Sequence, residues 1–115
     1  MHDQLTKRLL DARNACLEIE KRTVTRTLAE YSANYDLRLQ VERLLEIVGE
    51  ALRRAEDYDD DLERQIPELR SAVDLRNRVI HGYDGIDNEI IWLTASVRIP
   101  ELRARIESVL DRSQS

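Results

Sequence analysis

Near the start of the chain, Leu5, Leu9, Ala12, Cys16 and Ile19 recur at intervals of four, three, four and three, which places them on one stripe of an α-helix. This predicts a first helix from about Asp3 to Lys21. The next tract, RTVTRTLAEYSANYD, is threonine-rich and loosely patterned; it reads as a connection holding at most one short helix around Arg26 to Tyr31. From Asp36 the stripe resumes with Leu37, Val41, Leu44, Leu45, Val48, Leu52 and Ala55, a long helix for which Asn34 or Asp36 can serve as cap. A fourth set, Leu69, Val73, Arg76, Asn77 and Ile80, runs to Gly82, a residue suited to a left-handed helix end. Ile86, Ile90, Leu93 and Val97 mark a fifth helix, and Leu102, Ile106, Val109 and Leu110 a last one.

The joints carry their own signals. EDYDDDLE, between the long helix and the fourth, reads as a solvated acidic loop that supplies caps and favourable charge to the helix after it. It lacks the glycine and terminal ligand spacing of a calcium loop. The pentapeptide IPELR occurs twice, at Ile66 to Arg70 and Ile99 to Arg103, and both copies are expected to start helices, with proline at the first helical position and glutamate in the first turn. The residues after the two copies differ, so they are not a tandem repeat. No segment alternates as a strand would. The economical architecture is an all-α bundle of four or five helices with short links, one domain over residues 1–115.

Composition narrows the function classes. Glycine and proline together number five and phenylalanine is absent, as suits a helical chain. There is no apolar run long enough to span a membrane and no secretory leader pattern, so a cytoplasmic protein with no membrane partner is expected. The lone Cys16 can neither close an intrachain disulfide nor build a zinc knuckle, and it is expected in the core. Trp92 is likewise expected to pack rather than to hold a ligand. Net charge is −5, with 16 arginines and only two lysines. A general electrostatic grip on nucleic acid is therefore not expected, and any RNA contact must come from a local arginine cluster.

One such place is RNRVIHGYDG, Arg76 to Gly85, which holds one of only two histidines. Histidine moves protons near neutral pH and arginine is a permanently charged fork for phosphate. RNA carries its own nucleophile in the 2′-hydroxyl, so His81 as general acid or base and Arg76 as phosphate partner could cleave it without metal or cofactor. Five positions along a helix turn through about 140°, so Arg76 and His81 do not share a face, whereas Asn77 stands one turn below His81 and can orient it. A two-fold axis past the helix end would bring two copies of the motif to one cleft. On spacing alone the same residues also suit a structural role, with histidine meeting helix-end carbonyls and arginines pairing with the many acids.

RNRVIHGYD matches the RxxxxHxY signature of the HEPN superfamily, and it resembles specifically the HepT-like (DUF86) toxins of toxin–antitoxin pairs. LLEIVGEALRRA resembles the IGEA-bearing helix of that family, and GIDNEIIWLTASVRIPEL resembles the tail that follows its motif. The likeness spans roughly Leu37 to Leu110; the tract from Thr23 to Tyr35 has no match in it. The resemblance implies an all-helical homodimer acting as a metal-independent endoribonuclease, with Arg76 and His81 as the catalytic pair and Asn77 beside them. It also implies that Tyr83 is the residue to which a minimal nucleotidyltransferase antitoxin attaches AMP, placing phosphate beside the cleft in competition with RNA. The alternative is a non-catalytic helical subunit that serves a nucleotidyltransferase, and a plainer one is a homodimeric scaffold whose interface the motif builds.

Overall fold

The computed structural model describes residues 1–80 and 87–113, and within them every regular element is helical. The elements are α1 (Asp3–Thr23), α2 (Leu28–Ala33), α3 (Tyr35–Ala55), a single 3₁₀ turn (Glu56–Tyr58), α4 (Leu62–Gln65), α5 (Leu69–Ile80), α6 (Asn88–Leu93) and α7 (Ile99–Ser113). The expected all-α bundle is what forms.

Helices α1 and α3 run antiparallel. His2 before α1 stacks on Tyr58 just past α3, ring centroids 4.7 Å apart, while Arg22 near the end of α1 donates to Gln40 near the start of α3 at 3.1 Å. Helix α5 then runs antiparallel to α3, since Arg70 pairs with Glu56 at 2.9 Å and, nearly two turns on, Arg76 pairs with Glu50. Helix α7 packs on α1, tied by Arg103 to Glu20. The stripe predicted for α1 is buried in full, and that of α3 is buried except for Leu44, which is half-buried.

The short helix of the threonine-rich tract begins at Leu28 because Thr27 and Glu30 close a capping box: Glu30 N–H donates to Thr27 Oγ1 at 3.2 Å and Thr27 N–H to Glu30 Oε1 at 3.0 Å. Its purpose in the core is Tyr31, fully buried and tilted against the Trp92 ring at a centroid distance of 5.4 Å. Trp92 is thus a packing residue. Of the two caps weighed for α3, Asn34 is the one used, accepting from Leu37 N–H at 3.0 Å.

Three expectations need correction. The acidic tract is not wholly a loop: one turn of helix, α4, drops Leu62 into the core, while Asp59 accepts from Asp61 N–H and from the Gln65 amide. Neither IPELR copy starts a helix at its proline. In the first, Pro67 and Glu68 form a turn closed by Leu69 N–H on Ile66 carbonyl at 3.0 Å, and α5 begins at Leu69. In the second, α6 and α7 are one continuous helical run joined by a widened π turn at Thr94–Arg98, and Pro100 lies within it. Proline cannot donate to the carbonyl four residues back and its ring crowds that carbonyl, so a widened turn ahead of it keeps the helix unbroken. The run also faces the other way from the expected stripe: Ile90, Leu93 and Val97 are exposed, and Ile91, Ala95, Ile99 and Leu102 are buried. Both rows are apolar, and docking of Trp92 against Tyr31 selects which one turns inward. The predicted end at Gly82 and the placing of Ile86 fall outside the described residues.

No helix among the described residues is long and apolar enough to cross a membrane. Cys16 is fully buried, as expected, and burial pushes its thiol up to about 12 from its ordinary 9.0, Glu20 adding and Arg103 opposing. The native state therefore favours the protonated thiol. Its contribution to stability is complete below about pH 9 and is lost as pH rises from there towards 12, by at most about 1.4 kcal/mol per unit. Comparing alkaline unfolding of the protein with Cys16→Ala isolates this effect: the gap between them is expected to narrow above pH 9, and a constant gap would refute the assignment.

Candidate functional site

Arg76 and Asn77 sit on α5 where that helix comes closest to α3. The approach depends on Gly49. A Cβ at Gly49 would lie 2.3 Å from Arg76 Cβ, 2.8 Å from Arg76 Cγ and 3.0 Å from the Ala72 carbonyl oxygen. Glycine inside a strong helix costs about 1 kcal/mol relative to alanine, and here the missing side chain is the space that Arg76 fills.

The next residue on α3, Glu50, meets Arg76. Arg76 Nη2 lies 2.6 Å from Glu50 Oε2, and Arg76 Nη1 donates to Asn77 Oδ1 at 2.9 Å. Both members of the ion pair are partly buried, with side chains 23% and 29% exposed. The contact is electrostatic and not an aligned hydrogen bond, because Glu50 Oε2 and Arg76 Nε are buried without a hydrogen-bond partner among the described residues. Glu50 is held from its own helix as well: Arg54 Nε donates to Oε1 at 2.8 Å and Arg53 Nη2 reaches it at 3.5 Å. Its carboxyl is held below the usual carboxylate range, first by the Arg54 hydrogen bond and then by the Arg76 charge, with burial opposing. Arg76 therefore faces an ionised carboxylate at neutral pH.

The two arginines of RNR part company. Arg76 lines a cavity of about 440 Å³ between α1 and α3, whereas Arg78 lines a second, of about 640 Å³, against α6 and α7. Two positions along a helix turn through about 200°, so the pair cannot act as one cluster. In the first cavity Arg8, Arg43 and Arg54 join Arg76, and each has a carboxylate within ion-pair distance. Among the described residues no group of His, Cys, Asp and Glu is arranged to hold a metal ion. His81 and Tyr83 lie outside the described residues; of the expected site, the structure describes Arg76 and Asn77 and brings them together.

Gly49 and Glu50 are the site residues to which sequence reasoning gave no role. The signal was present as a glycine followed by an acid inside a helix, but only the packing of α3 on α5 gives it meaning.

The protein is thus a helical bundle that carries an arginine and an asparagine side by side on one helix. The profile of the ribonuclease HepT-like family matches residues 12–109, so the chain belongs to that family. Curated relatives include the probable ribonuclease HepT of Thermococcus cleftensis, 30% identical over 88% of this chain and 91% of its own length. Two candidate RNases of Methanocaldococcus jannaschii are also similar, one 34% identical over 70% of this chain and 72% of its own length, the other 29% identical over 70% and 66%. The chain thus spans about two thirds of the latter's length. No solved structure matches the chain.

Proposed function

We propose that the protein is the toxin of a toxin–antitoxin pair, a metal-independent endoribonuclease that cleaves cellular RNA at a cleft shared by two copies of the chain. The observation that carries this reading is the Arg76–Asn77 pair, seated on α5 within the span matched by the HepT-like ribonuclease family. His81 takes the proton of a 2′-hydroxyl, the oxygen attacks the adjacent phosphorus, and the 5′-oxygen departs with a proton, leaving a 2′,3′-cyclic phosphate and a 5′-hydroxyl. With two motifs at one cleft, one histidine accepts the first proton and the other supplies the second. Arg76 offsets the charge that builds on the phosphorane oxygens. The exposed apolar row Ile90, Leu93 and Val97 is surface of the kind a second copy covers. Tyr83 is the site at which a minimal nucleotidyltransferase partner attaches AMP and silences the toxin, whose phosphates would compete with RNA for Arg76.

The test is incubation of the protein with total RNA in excess chelator beside His81→Ala. The parent is expected to cut and to leave 2′,3′-cyclic phosphate ends, and the variant to cut at least about a hundredfold more slowly. Equal cutting by both would sink this reading. A second reading, a non-catalytic subunit that serves a nucleotidyltransferase, is favoured by the net charge of −5 and predicts no cleavage by the parent.

A further inference from the structure

We propose that Glu50 is the positioning residue for Arg76, setting which of its N–H groups face the cleft. The inference rests on the ribonuclease reading for what Arg76 does, but not for the contact itself.

Most of the ion pairs of this surface join residues three or four apart on one helix, a kind that contributes little and fixes little. Glu50 to Arg76 differs in three respects. It bridges two helices, α3 and α5, at the point where Gly49 lets their backbones approach. Its carboxylate is already anchored on its own helix by Arg54 at 2.8 Å, so it presents a fixed target instead of a free end. And Arg76 is held from its other side by Asn77 at 2.9 Å, so the guanidinium plane is pinned at both Nη nitrogens.

This arrangement decides how phosphate can be met. Arg76 Nε is buried without a hydrogen-bond partner among the described residues, so that end of the fork is closed to a ligand. The edge left for a ligand is that of the two Nη nitrogens: each carries two N–H groups, so contact with Glu50 and Asn77 leaves donors on it. A planar fork aligned before substrate arrives loses little freedom when phosphate binds, and a small misplacement of a charged group at a reacting centre costs rate rather than affinity. Glu50 touches no reacting atom in this scheme; it acts through Arg76.

Glu50→Gln keeps the size and an acceptor for Arg54 while removing the charge that holds Arg76. Turnover of an RNA oligonucleotide by Glu50→Gln is expected to fall about tenfold with KM within about twofold, thermal unfolding staying near that of the parent. In an Arg76→Lys background the same change is expected to have no further effect, since the group it positions is gone. A second readout needs no activity: in arginine side-chain ¹⁵N spectra, rotation about the Arg76 Nε–Cζ bond is expected to quicken in Glu50→Gln. Parental turnover in Glu50→Gln, losses that multiply with Arg76→Lys, or an unchanged Arg76 rotation would each overturn the proposal. A parent that cuts no RNA would overturn the ribonuclease reading instead, and the ¹⁵N spectra would still decide whether Glu50 holds Arg76.

Discussion

Replacing Gly49 with alanine is expected to destabilise the protein by about 2 kcal/mol, a reversal of the usual sign for this substitution inside a helix. Alanine gains about 1 kcal/mol over glycine in an open helix interior. Here the added Cβ would stand 2.3 Å from Arg76 Cβ and 3.0 Å from the Ala72 carbonyl oxygen, atoms carried by or next to the α5 backbone. Neither can swing aside as the tip of a long side chain can, so α3 and α5 must separate along their contact. Overpacking of this kind costs roughly 1 to 3 kcal/mol, and the backbone contact puts this case at the upper end. Thermal unfolding is the measurement, and a fall of roughly 8 °C is expected for a domain of this size. A variant that melts at or above the parent would show that the helices yield freely here. Because the same displacement moves Arg76 away from Glu50, the reading above also expects RNA cleavage to fall in whatever fraction remains folded.

Arg76→Lys is expected to reduce RNA cleavage by about a hundredfold or more while leaving the fold nearly as stable as before. Lysine keeps the charge but replaces a planar fork with a single rotating ammonium, and it cannot bridge a carboxylate on one side, an amide on another and a phosphate in front. The structural cost is small because Glu50 retains Arg54 and Arg53 as partners and the side chain is only partly buried. Cleavage rate and thermal unfolding, measured on the same preparation, separate the two effects. Cleavage within a few-fold of the parent would remove Arg76 from the catalytic pair. A large loss of stability would make it a structural residue first.

How much of this could be read beforehand differs by element. The stripes of α1 and α3 were legible because each helix turns one continuous apolar face to the core, and a repeat near 3.6 is the pattern such a face imposes. The stretch 88–100 was not, for two reasons, although the stripe Leu102, Ile106, Val109 and Leu110 beyond it is buried as expected. It carries two apolar rows, and periodicity cannot say which turns inward when both would satisfy it; Tyr31 docking with Trp92 decides that. It also carries Pro100, whose usual meaning as a helix start was overridden by a widened turn at Thr94–Arg98. The acidic tract misled similarly, because Leu62 is one apolar residue among acids and only the space beneath it makes it core.

By itself, then, the sequence determined the helical class, the stripes of α1 and α3, the burial of Cys16, and the placing of Arg76 and Asn77 on one helix. These follow from local periodicity and side-chain chemistry, which need no knowledge of what lies across the core. Tertiary structure alone decided that Arg76 and Arg78 face different cavities, that Gly49 is the gap into which Arg76 fits, and that Glu50 holds Arg76 from another helix. The physical reason is that an ion pair and a close backbone approach are properties of distance, and distance between residues far apart in the chain comes into being only when α3 and α5 pack.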